Sequence, residues 1–200
     1  MTLELTAGQL NRLRQAIDKG LVLASKGLSQ MIKREVSIES PSVELVDIAR
    51  APGRLGGEAE EVVAVYLAVT GDITGHIIFF FSLGSACRLA DFLLEVPPGA
   101  TSELGELELS GLSEVGNLTG SFLLNSLADD TELTILPSTP HILRDMAGAV
   151  LNTVLAELSL AGEQALVVET SFRGASDQIQ GMFFFLPEVD SLNVLVGSLR

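Results

Sequence analysis

Gly75-His-Ile-Ile-Phe-Phe-Phe81 and, in the second half of the chain, Gly181-Met-Phe-Phe-Phe185 are the two stretches on which the fold turns. Each is a glycine followed by an unbroken run of β-forming residues, the pattern of a central strand. A strand over His76–Ser82 has the β-rich run Val62–Ala68 before it, and a strand over Gln180–Leu186 has Gln164–Thr170 before it. Two similar strand pairs in one chain point to a duplicated unit.

Working outward from these strands, the rest of the pattern also occurs twice. Leu10, Leu13, Ile17, Leu21, Leu28 and Ile32 recur at helical spacing, which predicts one long amphipathic helix over 5–33 with Thr6 as its N-cap. Val36–Val46 alternates apolar and polar residues and contains Pro41, as an edge strand or its end does. Ala86–Leu94 reads as a short helix. After a linker at Pro97–Ser102 the pattern restarts, with a long helix over roughly 103–129 and a strand at Glu132–Pro137. The second half adds a helix over Leu143–Leu158. The expected architecture is α/β (α+β): a single domain over 1–200 made of two pseudo-symmetric αβ repeats, approximately 1–97 and 98–200. The repeats would share one mostly antiparallel sheet and one core, with the long helices on the surface.

Composition narrows the function. With 200 residues, 47% of them hydrophobic, the chain can bury a core without disulfides or metal. The single cysteine, Cys87, excludes an internal disulfide and any multi-cysteine metal site, and in its apolar stretch it reads as a buried, inert thiol. The N-terminus lacks the basic start and apolar core of a signal peptide. The longest uncharged stretch, Ile73–Cys87, is too short to span a membrane, so a cytoplasmic protein with no membrane association is expected. An excess of 26 acidic over 12 basic residues, net −14, argues against a nucleic-acid partner. His76 and His141 form no serine–histidine–acid grouping and no metal-ligand spacing, and both read as structural.

The segment that carries chemistry is Ser110-Gly-Leu-Ser-Glu114-Val-Gly-Asn117. Spacings of four and three residues place Ser110, Glu114 and Asn117 within about 60° of a helix circumference, so the three polar side chains share one face. Alone, such a face is usually a solvated stripe. Gly111, Gly116 and Gly120 each cost a helix about 1 kcal/mol relative to alanine, which implies that something approaches the backbone closely. Either the equivalent helix of the other half or a docked partner protein would explain that.

Ser-x3-Glu-x2-Asn, followed twenty-two residues later by Pro140, resembles the phosphatase signature of the CheC, CheX and FliY family. Glu114-Val-Gly-Asn117, Gly120-Ser-Phe and Asp145-Met-Ala-Gly148-Ala-Val-Leu are similar to the second half of CheC proteins, and the likeness extends over the whole chain. The resemblance implies hydrolysis of the aspartyl-phosphate of a CheY-like response regulator. Asn117 would orient the attacking water, Glu114 would reach a lysine of the regulator, and Ser110 would assist docking. Pro140 would end a strand and set the entry of the following helix. An acyl phosphate is already activated, so orientation is the main task. A carboxamide both donates and accepts without bringing charge to the phosphoryl oxygens.

The same frame moved back by 99 residues places Asn11, Gln15, Asp18 and Pro41 at the motif positions. Asp18 would add negative charge near the phosphate and cannot donate when ionised, so one working site, centred on Asn117, is expected. No cofactor is expected on this chain. Magnesium would sit in the acidic pocket of the regulator. A CheD-like deamidase is a further possible partner, through another surface. The alternative implied function is a non-catalytic adapter that binds a response regulator or a CheD-like protein.

Overall fold

The computed structural model describes residues 5–40, 42–47, 50–157, 164–174 and 178–199. The elements run α1 (Ala7–Ile32), β1 (Ser37–Glu39), β2 (Val43–Asp47), α2 (Ala51–Arg54), β3 (Glu61–Gly71), β4 (Gly75–Ser82) and α3 (Leu83–Leu93). The same order then repeats as α4 (Glu106–Thr131), β5 (Ile135–Pro137), β6 (His141–Met146), α5 (Ala147–Glu157), β7 (Gln164–Arg173), β8 (Gln178–Pro187) and α6 (Val189–Ser198).

The long helices are the most symmetric part. Both have 26 residues, and both end on a left-handed residue, Lys33 at φ 54° and Glu132 at φ 60°. Each buried position of α1, from Leu13 to Ile32, falls on a buried position of α4 when shifted by 99 residues. At the N-terminus of α1, the Gln9 N–H donates to Thr6 Oγ1 at 3.3 Å and the Thr6 N–H donates to Gln9 Oε1 at 2.9 Å. This reciprocal cap satisfies two of the four N–H groups that a helix start leaves unpaired.

The repeated glycine–phenylalanine runs meet at the centre of the sheet. β4 and β8 pair antiparallel with Phe79 opposite Phe183 and Ile78 opposite Phe184. Phe79 lies 5.2 Å from Phe183 and Phe80 lies 5.0 Å from Phe184, centroid to centroid, in tilted and edge-on arrangements that aromatic pairs favour. The sheet order is β1-β7-β8-β4-β3-β5, with β2 also on β7 and β6 also on β3, and all these pairs are antiparallel. The outer strands are therefore exchanged between the halves. β1 and β2 of the first half extend the β7–β8 hairpin, and β5 and β6 of the second extend β3–β4.

Alternation along the strands produces two cores. Val63, Val65 and Leu67 of β3 join Phe79, α1, α3 and α4 on one face of the sheet. Val62 and Ala64 join Ile78, Phe80, Phe184 and the α5 residues Val150, Leu151 and Val154 on the other.

Several elements differ from the sequence expectation. The helix expected over Leu143–Leu158 begins only at Ala147; residues 141–146 are a strand on β3, with Leu143 opposite Ala64. Ile142 and Leu143 happen to continue the three- and four-residue spacing of α5 backwards, and long-range pairing to β3 overrides that local pattern. Pro140 accordingly precedes a strand rather than a helix. The Val36–Val46 segment is two short strands, β1 and β2, and Pro41 between them lies outside the described residues, as does the last residue of the expected helix, Leu158. The short α2 and the C-terminal α6 were not anticipated.

Candidate functional site

Helix α4 presents three distinct surfaces. Towards the sheet, Gly116 rests on β3 so closely that a Cβ there would stand 2.4 Å from Val65 Cγ1. Towards α1, a Cβ on Gly20 would fall 2.9 Å from Leu123 Cα, and one on Gly27 would fall 2.8 Å from the Phe122 ring. Ser126 Oγ donates to the Ala16 carbonyl at 2.8 Å and Lys19 pairs with Asp130 at 2.7 Å, adding polar links between the two helices. The third surface faces solvent. It holds Ser110 and Glu114, both exposed, and Asn117, half-buried at the margin of the packed stripe.

The close approach inferred from the α4 glycines is thus made by a strand at Gly116, and neither the neighbouring helix nor a partner is needed to explain it. Gly111 and Gly120 have room, their nearest neighbours standing 3.4 and 3.5 Å from a built Cβ. The tight helix–helix contacts use glycines of α1 instead.

Among the described residues, no hydrogen bond or ion pair engages the side chains of Ser110, Glu114 or Asn117. The link bearing Pro140 joins β5 and β6, which both pack against α4. Ser138 anchors that link to β3: its N–H donates to the Ala68 carbonyl at 2.8 Å, and its Oγ accepts from the Ala68 N–H at 2.9 Å. Before α4, the buried Asp91 of α3 accepts from the Gly99 and Thr101 N–H groups at 2.7 and 2.8 Å, which folds the inter-repeat linker back. Burial by itself would push the Asp91 carboxyl up, but donation from Thr101, Gly99 and Ala100 outweighs it and holds the group below the usual carboxylate range. A scaffold fixed at both ends therefore presents the polar face.

Beside Ser110 and Glu114 runs an open groove of about 480 Å³, between the C-termini of α1 and α3 and the first turns of α4. Sequence reasoning missed it. Leu107 and Met31, 64% and 41% exposed, are brought together on its walls. Depressions of comparable size lie on the opposite face of the sheet, one of them lined by Tyr66, His141 and Val154.

The first-half counterpart differs in kind. Asn11, Gln15 and Asp18 are all exposed on α1, and Pro41 is outside the described residues. Helix α1 carries four basic residues and one acidic. Helix α4 carries five acidic residues and none basic. The two equivalent helices thus differ in the sign of their charge.

The remaining reactive side chains are elsewhere. His76 Nδ1 lies 2.6 Å from the Tyr66 hydroxyl, and His141 tilts against the same ring at 6.4 Å. Cys87 is half-buried on α3, and burial together with the nearby Asp91 charge pushes its thiol up, which suits an unreactive group. Among the described residues no cluster of three His, Cys, Asp or Glu side chains forms a metal-binding group, and no helix is long and apolar enough to cross a membrane.

These features define a duplicated α/β protein with exchanged strands that presents a Ser–Glu–Asn face on one of two paired surface helices. A family model described as the CheC-like family matches residues 107–144, from the first turn of α4 into β6. The CheY-P phosphatase CheC of Bacillus subtilis (strain 168) is 32% identical over 195 residues, covering 96% of this chain and 93% of that protein. The chain belongs to the CheC-like family. Thermotoga maritima FliY has the same fold at TM-score 0.79 and 19% identity, with 98% of each chain covered. The CheX–CheY–BeF3–Mg2+ complex from Borrelia burgdorferi matches at TM-score 0.55 and 19% identity, over 86% of this chain and 98% of that one.

Proposed function

We propose that this protein hydrolyses the aspartyl-phosphate of a CheY-like response regulator, with α4 entering the regulator's phosphorylation site. The observation that carries this is the solvent face of α4, where Ser110, Glu114 and Asn117 lie together with no hydrogen-bond or ion-pair partner among the described residues. The CheY-P phosphatase activity named for the Bacillus subtilis relative supports it, as does the CheY-bound state of the Borrelia burgdorferi neighbour.

In this reading the Asn117 carboxamide oxygen accepts a hydrogen bond from a water, holding it in line with phosphorus, and the amide NH2 donates to a phosphoryl oxygen. The water oxygen bonds to phosphorus as the bond to the aspartyl oxygen breaks, releasing carboxylate and inorganic phosphate. Since the leaving group is a carboxylate, no strong general acid is required. Glu114 pairs with a lysine of the regulator, a charge-assisted contact that sets the approach of α4, and Ser110 supports docking. The regulator holds the magnesium that neutralises phosphoryl charge, and this chain supplies no ligand to it. The face of α1 is inactive because Asp18 stands where a neutral donor is needed.

The test follows decay of a phosphorylated CheY-type regulator alone, with this protein, and with Asn117→Ala, alongside direct binding. Acceleration that disappears in Asn117→Ala while binding persists is the expected result. Binding of the regulator without any acceleration by the unmodified protein would leave an adapter.

A further inference from the structure

The groove beside Ser110 and Glu114 has no role in the hydrolysis just described, yet it shares two of the motif residues among its walls. Its other walls include Leu107 on the first turn of α4, Met31 at the end of α1, and Leu93 and Leu94 at the end of α3. Exposed apolar side chains gathered in one concavity mark an interaction surface far more often than exposed apolar residues scattered singly. The rim is charged: Glu114 and Glu95 are acidic, and Lys33 is the basic residue among the lining side chains. An apolar floor inside a mostly acidic rim fits a basic segment that carries a large apolar side chain.

The duplicated half supplies an internal comparison. At the 99-residue offset, Leu107 corresponds to Gly8, Gly111 to Arg12, and Glu114 to Gln15, while the partner-helix residue Met31 corresponds to Asp130. The half that lacks the glutamate and asparagine thus also lacks both exposed apolar walls, and an arginine takes the place of the glycine that opens the floor. Every buried position of α1 has a buried counterpart in α4, so packing does not explain the difference. The apolar walls and the motif residues occur together in one half and are replaced together in the other, which is expected when both serve the same partner.

We propose that this groove is a docking pocket for the phosphorylated regulator, taking a large apolar side chain from a lysine-bearing segment next to its phosphorylation site. Leu107 and Met31 are the walls that grip it, and Glu114 and Glu95 receive the flanking positive charge. The proposal rests on the functional reading above and gives affinity and partner choice to residues outside the signature, leaving turnover to Asn117.

Leu107→Ser with Met31→Ser tests it, since both side chains are exposed and the unfolding curve should stay unchanged. Binding of the beryllofluoride-loaded regulator is titrated against wild type, the double variant and Asn117→Ala. The double variant should bind about tenfold or more weakly, the scale of losing a buried apolar side chain from an interface. Its maximal dephosphorylation rate at saturating regulator should match wild type, and Leu107→Met should keep the affinity that Leu107→Ser loses. Unchanged affinity in the double variant, or a lowered maximal rate at unchanged affinity, overturns the docking pocket even where Asn117→Ala abolishes turnover. Tight binding through the pocket with no turnover by wild type would overturn the hydrolytic function alone, and failure of wild type to bind the regulator overturns both.

Discussion

Gly116→Ala and Gly120→Ala are the same substitution one helical turn apart, and the structure predicts opposite outcomes. Each gains about 1 kcal/mol of helix propensity in the interior of α4. At Gly120 the new Cβ would lie 3.5 Å from Leu67 Cδ1 and 3.6 Å from Phe79, ordinary contact distances. At Gly116 it would stand 2.4 Å from Val65 Cγ1 and 2.8 Å from Val65 Cβ. Val65 is fully buried, β-branched, and paired with Phe79 on one side and Ile142 on the other, so it has no space into which to retreat. Helix α4 must lift from the sheet, and overpacking of this kind costs about 1–3 kcal/mol. Gly120→Ala should be as stable as wild type or better, with Gly116→Ala about 1–3 kcal/mol below it. Urea unfolding of the two variants at a common m-value measures the difference directly. Because the lifted segment bears Asn117, Gly116→Ala should also slow regulator dephosphorylation while Gly120→Ala does not. A Gly116→Ala protein as stable as Gly120→Ala would refute the argument that this glycine exists to admit Val65.

Asp91→Ala should destabilise the fold by roughly 3 kcal/mol at neutral pH, since it strands two N–H groups that now donate to a buried carboxylate. Because the folded-state value of Asp91 is depressed, its contribution is fully present above about pH 4 and is lost as pH falls through that depressed value. Chemical denaturation at pH 7 and pH 3 should show the gap between wild type and variant narrowing at the lower pH, and a constant gap would contradict the assignment. The exchanged strands carry a second expectation: fragments 1–97 and 98–200 made separately should each be largely unfolded, because β3 then lacks β5 and β6, and β7 lacks β1 and β2. Mixing the fragments should restore cooperative unfolding, and independent folding of either one would refute the coupling.

Much of this arrangement was legible in the residues. The phenylalanine runs marked the paired central strands, and the apolar spacing of Leu13, Ile17, Leu21 and Leu28 marked α1, because burial against a sheet imposes those periods directly. The polar face of Ser110, Glu114 and Asn117 followed from helical geometry alone. What local pattern could not show was strand exchange, since the partner of β6 lies in the other half and nothing in His141–Met146 records it. The groove escaped for a related reason. Met31, Leu93 and Leu107 come from three helices, and each taken singly looks like one more apolar residue on an amphipathic helix.

The asymmetry between α1 and α4 also has a physical basis. A helix at the surface of this sheet answers to two sets of requirements that share few residues. Its buried stripe is set by Val65, Leu67, Phe79 and the opposite helix, and at the 99-residue offset that stripe is filled at equivalent positions in both halves. On its solvent face Asn11, Gln15 and Asp18, like Ser110, Glu114 and Asn117, make no side-chain hydrogen bond or ion pair among the described residues, so the two sets differ with little consequence for folding. Helix α1 remains indispensable all the same, since its Gly20 and Gly27 admit Leu123 and Phe122 of α4 at close range and its end contributes Met31 to the groove. The half without an intact motif thereby helps to build the site of the half that has one.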